Sequence, residues 1–443
     1  MGSPILQRLR AVPPVLACLA ALLLAPHSRA ELAVPDVADL TRIDQFTRPE
    51  PQDAVTATYI LRTWPHATLG EAYVIVTDHN EPAYLGALDK LAAFHRGSVL
   101  QVADLGALRG SSAERAGLAA ELLRRRPRFV ALAPKAGSFT ENMLLGFWSV
   151  LGTLGSDQQL PVFPGILAAP DAEAFQALVR RSIAYHPQAR GDIRPFAMAQ
   201  VLGPRPYGMR SLQKVRILGQ VFGRWGRPVN SLVVLEASAV RLGVEVSLEL
   251  GQWKTAATTD GPVSSIPSEA RPALDAATLL VLFGHGSPGT ECSLRVSAFR
   301  DVPMAGKIVM SGDCYSAAPL LQARGSPGNA PDSALAIDPE SFAMLAARNG
   351  AVVVYAHMHE NQGFPFLYPV LENCLNGLTV GEAYQRLINA ILALRHQVPR
   401  QLAAPDRSTP ERPGDDANDL LYIIIGDPAL QPFAGLAPEA PAR

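Results

Sequence analysis

Two short segments that could do chemistry each follow an apolar run in the 443-residue sequence. The segment GHGS at 284–287 follows TLLVLF, and the segment SGDC at 311–314 follows KIVM. A cysteine thiol with its ordinary pKa of about 8.5 is mostly protonated at neutral pH, and an adjacent imidazole can take that proton. His285 and Cys314 together therefore predict a general base beside a nucleophile.

The glycine after the histidine has a chemical use of its own. Because Gly286 has no side chain, its N–H can approach a substrate carbonyl, and the N–H of Cys314 can act as a second donor. Two such donors form an oxyanion hole, and the loss of one typically costs about 2.7–4 kcal/mol in the transition state. The alternative is that His285 and Cys314 are ordinary residues at the ends of two strands.

Strands and helices alternate along the chain and predict how these segments are positioned. Residues 71–190 have the order β-α-β-α-β, and the pattern restarts over 191–432 after a linker near 187–194. Strands that are apolar on both faces are typical of a parallel sheet covered by helices. The predicted fold class is α/β, with two consecutive, mostly parallel-sheet units. In such sheets ligands bind beyond the carboxyl ends of the strands, where both segments lie.

Local signals predict several individual elements. Capping boxes at Ser111 and Thr379 and an N-cap at Asp171 each open a helix. Asp338 followed by proline predicts the start of another helix. The remaining elements predicted in the second unit include a helix over 231–242, a strand at Val244–Leu248 and a last strand, LLYIII at 420–425, that closes the sheet.

Residues 1–30 have the features of an export signal. Two arginines precede an apolar run over 11–25, and small residues follow up to Ala30. The run is shorter than the roughly 20 residues that span a membrane. We therefore expect cleavage near Ala30, a secreted or periplasmic protein and no stable membrane span. An uncleaved anchor and a lipoprotein site at Cys18 are the alternatives.

The composition limits the classes of function. Apolar residues make up 48% of the chain and charged residues 18%, which is enough for a buried core and excludes a disordered chain. The net charge of −1 and the scattered basic residues argue against a nucleic-acid partner. Outside the two units, residues 31–70 are an irregular N-terminal extension or pro-segment, and residues 433–443 are a tail rich in Pro and Ala.

Three cysteines remain once the export signal is removed. In an oxidising compartment Cys292, Cys314 and Cys374 can form at most one disulfide within the chain. A bridge between Cys292 and Cys374 would leave Cys314 as a thiol. Inert buried thiols are the other interpretation.

The order of these segments resembles that of a known peptidase family. An apolar strand followed by His-Gly, and a second apolar strand followed by Cys, is the signature of the caspase-like clan of cysteine peptidases. Within that clan the sequence looks like the gingipain family over roughly residues 71–432. The segments that support the narrower match are GHGS at 284–287, IAY at 183–185, Asn361-Gln362 and YIIIGDPAL at 422–430.

The resemblance implies a caspase-like, three-layer αβα sandwich and an exported cysteine endopeptidase that acts on polypeptides. It implies that His285 is the general base and acid and that Cys314 is the nucleophile. Gly286 and Cys314 would form the oxyanion hole, and water would hydrolyse a thioacyl-enzyme. Relatives carry structural calcium, but no ligand pattern here places a site. The sequence predicts neither a required cofactor nor a metal centre.

The segment 203–234 departs from the family pattern. Gingipain-like enzymes carry an acidic residue in this region that assists the histidine and, shortly after it, another that binds a basic P1 side chain. Here the segment contains no Asp or Glu. Burying a cation without a paired negative charge is costly, so we expect an enzyme that is not strictly specific for Arg or Lys. The basic residues of the segment are Arg205, Arg210, Lys214, Arg216, Arg224 and Arg227.

Four residues are expected to line the substrate pocket: Asp313, His357, His359 and Glu360. Asp313 precedes the nucleophile, where the family usually has a small residue. Either Asp313 or Glu360 is the alternative source of acidity for the pocket. His357 and His359 follow an apolar strand; alternating histidines can also bind zinc, but the spacing indicates no third ligand.

Two other functions remain open at this point. Residues 312–316 (GDCYS) imitate the nucleophile elbow of α/β-hydrolases, in which the histidine follows the nucleophile along the chain, as His396 does. The second alternative is a secreted scaffold that kept the fold and lost turnover, since function depends on the site and not on the fold. Transpeptidation would use the same thioacyl intermediate as hydrolysis.

Overall fold

An eleven-stranded sheet runs through the protein. The strands of this sheet and of a separate two-stranded hairpin (β9 and β10) are β1 (Ala72–Thr77), β2 (Ser98–Gln101), β3 (Pro127–Ala133), β4 (Phe163–Ile166), β5 (Met198–Leu202), β6 (Val229–Leu235), β7 (Gln252–Ala256), β8 (Leu279–Phe283), β9 (Thr290–Glu291), β10 (Leu294–Arg295), β11 (Ile308–Ser311), β12 (Val353–His357) and β13 (Tyr422–Ile425). The helices are α1 (Pro82–Phe94), α2 (Ser112–Arg125), α3 (Glu141–Gly152), α4 (Ala172–Tyr185), α5 (Arg271–Ala276), α6 (Phe342–Arg348), α7 (Leu367–Leu375) and α8 (Val380–Leu394). The structure, a computed structural model, describes residues 68–155, 159–186, 198–202, 229–235, 252–256, 262–320, 335–359, 367–375, 377–394 and 418–434.

The sheet consists of two parallel blocks. The first has the order β2-β1-β3-β4-β13 and the second has the order β12-β11-β8-β5-β6-β7. Neighbouring strands are parallel within each block, whereas β13 and β12, where the blocks meet, are antiparallel. The two predicted units therefore share one sheet. The linker predicted near 187–194 lies outside the described residues.

Helices cover both faces of the first block. Ile75 of β1 belongs to a core that contains Leu88 of α1 and Phe175 of α4. Its neighbour Val74 belongs to a separate core that contains Leu122 of α2. Because side chains alternate along a strand, β1 is buried on both sides, which explains its uniformly apolar sequence. The predicted three-layer sandwich is confirmed.

The helix starts predicted at Ser111, Asp171 and Thr379 are confirmed by capping hydrogen bonds. The Oγ of Ser111 accepts a hydrogen bond from the N–H of Glu114 at 3.1 Å, before α2. At α8 the box is reciprocal: the N–H of Thr379 donates to Glu382 at 2.8 Å, and the N–H of Glu382 donates to Thr379 at 3.1 Å. Asp171 caps α4 in the same way. These bonds satisfy backbone donors that the first helical turn leaves unpaired.

Residues 229–235 form the strand β6, although a helix over 231–242 was predicted. The strand pairs with β5 on one side and β7 on the other. Over so short a stretch, the apolar run in SLVVL fits both the period of a helix and the alternation of a strand. Its β-branched valines suit a pleated strand. The helix prediction is wrong at these residues because pairing on both edges outweighs local propensity. The strand predicted at Val244–Leu248 lies outside the described residues.

The last strand lies inside the sheet, not at its edge. β13 runs antiparallel to β12, with Tyr422 opposite His357, and it meets β4 on the other side through Ile425 and Ile166. The prediction that LLYIII closes the sheet is therefore wrong. An apolar run indicates that a strand is buried, but it carries no information about which strands lie beside it.

Helix α6 begins later than predicted. Its N-cap is Ser341, and not Asp338. The Oδ1 of Asp338 instead accepts from the N–H of Glu340 at 2.9 Å, which forms a turn just before the helix. None of the helices in the described ranges combines the length and the apolar character needed to cross a membrane.

Candidate active site

The two segments singled out in the sequence follow adjacent strands. β8 and β11 are parallel neighbours, with Leu282 opposite Ser311, and β12 lies on the other side of β11. The N–H of Gly312 extends the pairing by donating to the carbonyl oxygen of Leu282 at 2.8 Å. The loops that follow β8 and β11 therefore leave the sheet at the same edge, where ligands bind in parallel sheets.

Gly286 brings the two loops into contact. A Cβ atom at this position would lie 2.0 Å from the carbonyl oxygen of Cys314 and 3.1 Å from the Cβ of Asp313. No side chain fits there, so the close approach of the two backbones requires glycine. The side chain of His285 is exposed and Cys314 is partly exposed, so solvent reaches both residues.

Asp313 connects the cysteine loop to the histidine loop and to the β9–β10 hairpin. Its side chain is fully buried. Its Oδ1 accepts a hydrogen bond from the N–H of Gly284, and its Oδ2 accepts one from the N–H of Cys292. The carboxylate of Asp313 thus faces backbone amides and not solvent, and the pocket-lining role predicted for it stays a prediction.

The hairpin places two residues other than glycine in a left-handed backbone conformation. Cys292 has a φ of 51° and Ser293 a φ of 62°. Positive φ suits the twist of a two-residue hairpin, but residues with a Cβ adopt it at an energetic cost. The hairpin is held by the bond from Cys292 to Asp313 and by a 3.2 Å bond from the N–H of Ser293 to the carbonyl oxygen of His285. Its conformation therefore depends on both loops of the candidate site.

Glu291 is a second buried acid next to Asp313. Its Oε1 accepts a hydrogen bond from the hydroxyl of Ser311, which in turn accepts one from the N–H of Asp313 at 3.1 Å. Among the described residues, its Oε2 has no hydrogen-bond partner. Burial, together with the charge of Asp313, raises the pKa of Glu291 well above its ordinary value. Glu291 therefore keeps its proton to a higher pH than a glutamate in the unfolded chain.

We expect Glu291→Gln to stabilise the protein at alkaline pH. Because the pKa of Glu291 is raised in the folded state, wild-type stability is lost as the pH rises above about 4.3, and the loss continues up to the folded pKa. Each pH unit in that window is worth about 1.4 kcal/mol. Urea unfolding should give similar stabilities for the variant and the parent near pH 5 and a more stable variant at pH 8.

The exposed Glu269 offers a matched control for this experiment. Glu269→Gln should leave the free energy of unfolding within about 0.5 kcal/mol of the parent at both pH values. A Glu291→Gln variant whose difference from the parent is the same at pH 5 and pH 8 would contradict the assignment of a raised pKa to this carboxyl group.

The chain after Cys314 pairs with the end of β12. The N–H of Tyr315 donates to the carbonyl oxygen of His359 at 2.9 Å, and the N–H of Ala317 donates to that of His357 at 2.9 Å. Tyr315 has a φ of 58°, a left-handed conformation that is costly for a residue with a side chain. β12 therefore supports the cysteine loop and helps to keep this strained residue in place.

His357 and His359 lie behind the cysteine loop. His357 is buried, with Nδ1 2.7 Å from the carbonyl oxygen of His359 and Nε2 2.9 Å from that of Asn418. His359 is also buried, and its ring packs against Tyr315 with centroids 4.8 Å apart. Both histidines thus contact the cysteine loop or its neighbouring backbone, and the pocket-lining role predicted for them stays a prediction. Glu360, the fourth predicted pocket residue, lies outside the described residues.

The three described cysteines are not disulfide-bonded. A bridge between Cys292 and Cys374 was one of the alternatives left open by the sequence, and both of these residues are instead buried thiols. Burial, with a smaller effect of the charge on Glu382, raises the pKa of Cys374 to about 12. Of the three, Cys314 alone is not buried.

Two solved structures share this architecture. The Arg-specific cysteine proteinase gingipain R (RgpB) superposes with a TM-score of 0.50 over 83% of this chain and 79% of that chain, at 14% identity. A complex of the pro- and mature domains of RgpB from Porphyromonas gingivalis gives a TM-score of 0.50 over 81% and 79%, at 13% identity. The chain has the gingipain fold. The predicted caspase-like α/β sandwich is thereby confirmed, at an identity that shows the fold alone.

No protein-family model and no curated protein sequence matches the chain. The likeness to the gingipains is thus one of backbone architecture.

The sequence did not indicate that two acids of the site, Asp313 and Glu291, have structural roles in the interior. The sequence predicts a pocket role for Asp313 from its position before Cys314, and it predicts no role for Glu291. A single acid in an otherwise mixed segment such as TECSLRV has no periodicity that distinguishes burial from exposure. The weak signal available was an acidic residue in the segment between two strands of a buried sheet, where an unpaired charge is unfavourable.

Proposed function

We propose that the protein is a cysteine peptidase with Cys314 as the nucleophile and His285 as the general base and acid. The N–H groups of Gly286 and Cys314 form its oxyanion hole. The observation that carries this proposal is the contact at Gly286, which brings the backbone of the histidine loop against the carbonyl group of Cys314. A bound substrate covers these two loops and separates them from solvent. The imidazole on one loop and the thiol on the other can then exchange a proton.

The reaction follows from these roles. His285 removes the proton of the Cys314 thiol, and the thiolate attacks the carbonyl carbon of the substrate. The oxyanion accepts hydrogen bonds from the two N–H groups. The carbon–nitrogen bond breaks as the imidazolium gives its proton to the leaving amine. Water then attacks the thioacyl carbon, His285 takes the proton of that water, and the carbon–sulfur bond breaks to release the acid and the thiol.

The buried position of Asp313 supports a pocket that is not strictly basic in its preference. Asp313 and Glu360 were the two sources of negative charge left open by the sequence, and both oxygens of Asp313 accept bonds from backbone amides. The acid-free segment 203–234 contains no replacement. Glu360, which lies outside the described residues, is the one remaining source of negative charge, and we propose that a neutral or acidic P1 side chain suits this enzyme better than a cationic one.

Active-site labelling tests both the chemistry and the preference. Peptidyl acyloxymethyl ketones that differ only in having Arg, Asp or Leu at P1 are incubated with the full chain, and the labelled residue is found by peptide mass mapping. We expect a single label on Cys314, because solvent reaches this thiol while burial protects Cys292 and Cys374. The Leu and Asp reagents should react at least as fast as the Arg reagent.

The variants separate the two parts of the proposal. Cys314→Ala should lose the label, and Cys374→Ala, which removes a buried thiol, should keep it. Failure of all three reagents to label Cys314, or unchanged labelling of Cys314→Ala, would contradict the peptidase proposal. Labelling of Cys314 by the Arg reagent alone would leave the peptidase standing and overturn only the P1 preference.

The residues after Cys314 favour a peptidase over an α/β-hydrolase. A nucleophile elbow leads directly into a helix. Here residues 314–317 form turns and their backbone pairs with β12.

His396, the histidine that the hydrolase alternative requires, lies outside the described residues, as do residues 1–30. Export to a secreted or periplasmic location therefore stays a prediction.

A further inference from the structure

A cluster of two histidines and an aspartate lies away from the candidate active site. His95, His186 and Asp427 each offer one ligand atom, and these atoms lie within 4.8 Å of one another. The Nε2 of His95 is 2.7 Å, and the Nε2 of His186 is 2.8 Å, from the same oxygen, Oδ2 of Asp427. Three residues separated by at least 91 positions therefore converge on one point.

The fold brings the three residues together at the ends of three elements. His95 is the C-cap of α1, and His186 is the C-cap of α4, the two helices that pack against each other on one face of the first block. Asp427 follows β13 after Gly426, whose φ is 155°. The proline after Asp427 packs against the sheet, where a Cβ on Gly165 would lie 2.7 Å from its ring. The turn at Gly426 thus directs Asp427 towards the helix ends.

Surrounding side chains orient the cluster. The hydroxyl of Tyr73 donates to Oδ1 of Asp427 at 2.9 Å, and the N–H of Ala429 donates to the same oxygen at 3.0 Å. The ring of Tyr73 stacks on that of His95 with centroids 4.2 Å apart. Oδ1 is therefore occupied by two donors, and Oδ2 alone faces the imidazoles. Contacts that fix the ligand groups in this way are typical of protein metal sites.

The buried charge also needs a partner. Asp427 is fully buried, and its Oδ2 lies 2.7 Å and 2.8 Å from two imidazole nitrogens. A carboxylate in the interior is stable only when a cation or several donors compensate it.

We propose that His95, His186 and Asp427 bind a divalent transition-metal ion, with zinc as the first candidate. Two imidazole nitrogens and one carboxylate oxygen are a donor set that suits zinc and its neighbours in the first row. Calcium is excluded by chemistry, because it takes oxygen ligands almost exclusively. The side chain of His95 is 12% exposed, so water can reach the cluster to complete the coordination of the proposed ion.

The ligand atoms must shift to accept the ion. Ligand atoms at about 2.0–2.1 Å from a tetrahedral zinc lie about 3.3 Å apart. The two nitrogen–oxygen distances of 2.7 Å and 2.8 Å therefore increase by roughly half an ångström, and the two imidazole nitrogens, which lie within 4.8 Å of each other, take up the same spacing of about 3.3 Å. The ion would join the ends of α1 and α4 to the segment after β13, while His285 and Cys314 follow strands of the second block.

Metal analysis of the full chain tests this proposal. The protein is made without an affinity tag and with Cys314→Ala, so that neither a tag nor the candidate catalytic thiol contributes ligands. After metal is removed and zinc is added back, we expect about one zinc per chain by mass spectrometry. Added zinc should raise Tm by a few degrees. Cobalt in place of zinc should give the visible absorption of a low-symmetry, four-coordinate site.

Matched histidine variants complete the experiment. His95→Gln and His186→Gln should each lose the bound zinc and the zinc-dependent rise in Tm. His79→Gln, which alters another buried histidine of the first block, should keep both. If the first two variants do not fold, the cobalt spectrum of the parent decides. No stoichiometric zinc and no cobalt absorption in the parent, or equal zinc in all three variants, would show that the cluster is held by hydrogen bonds alone.

Discussion

Replacing His285 by alanine is expected to lower kcat/KM for peptide hydrolysis by about 10²–10⁴-fold. Without the imidazole, the Cys314 thiol ionises only as the pH approaches its ordinary pKa of about 8.5, and the leaving amine has no proton donor. The pH profile carries the decisive information. Residual activity of the variant should rise with pH through the range of the thiol pKa, while the wild-type enzyme should already be near its maximum at neutral pH.

His396 offers the comparison for this variant, because it is the base that the α/β-hydrolase alternative requires. His396→Ala should leave kcat/KM and its pH profile unchanged. If His396→Ala loses activity and His285→Ala keeps it, the peptidase mechanism proposed above is wrong. If Cys314 is labelled at the same rate in both variants and neither has turnover, the scaffold alternative is favoured.

The strands that are apolar runs were predictable, because such runs reflect burial alone. β1, β8, β11, β12 and β13 are continuous apolar runs, and each is buried in the structure. The strand order was not predictable, since β13 enters between β4 and β12 although it is last in the sequence. Segment β6 differs from the predicted helix for a related reason. Its type depends on pairing with β5 and β7, which are remote in sequence.

The contact between the two loops could be anticipated from glycine spacing and from the parallel order of β8 and β11. The supporting residues could not. Tyr315 takes a left-handed conformation, and His357 is engaged by backbone carbonyl groups, for reasons that lie in the end of β12 and in Asn418. A histidine near a cysteine suggests a pocket residue, but only the hydrogen-bond partners reveal that it is a buried support.

The histidine cluster could not be predicted from the sequence either. His95, His186 and Asp427 share no sequence motif, because their spacing of 91 and 241 residues follows the path of the chain and not the geometry of a ligand set. Gly-Asp-Pro at 426–428 was noticed only as part of the resemblance to the gingipains. The structure shows that Asp427 contacts His95 and His186 at the ends of α1 and α4.

Replacing Asp313 by alanine is expected to lower both stability and activity. The variant leaves the N–H groups of Gly284 and Cys292 buried without an acceptor, at a cost of about 1–3 kcal/mol each, so the free energy of unfolding should fall by about 2–6 kcal/mol. The histidine loop and the hairpin at Cys292 then lose their common anchor. Urea unfolding and kcat/KM measure the two effects, and Asp313→Asn, which keeps one acceptor, should lie between wild type and Asp313→Ala.

The form of the activity loss distinguishes an anchor from a pocket acid. If Asp313 orders the loops, Asp313→Asn lowers kcat/KM by a similar factor for Arg, Asp and Leu at P1, because the damage is to Cys314 and His285 and not to a subsite. If Asp313 binds a basic side chain, only the Arg substrate suffers and the stability is unchanged. Asp338→Ala is the matched control, since Asp338 also accepts from a backbone N–H, but in an exposed turn where water replaces it. If Asp313→Ala and Asp338→Ala have equal free energies of unfolding, Asp313 is not an anchor. The buried hydrogen bonds of Asp313 would then contribute no more to stability than the exposed bond of Asp338.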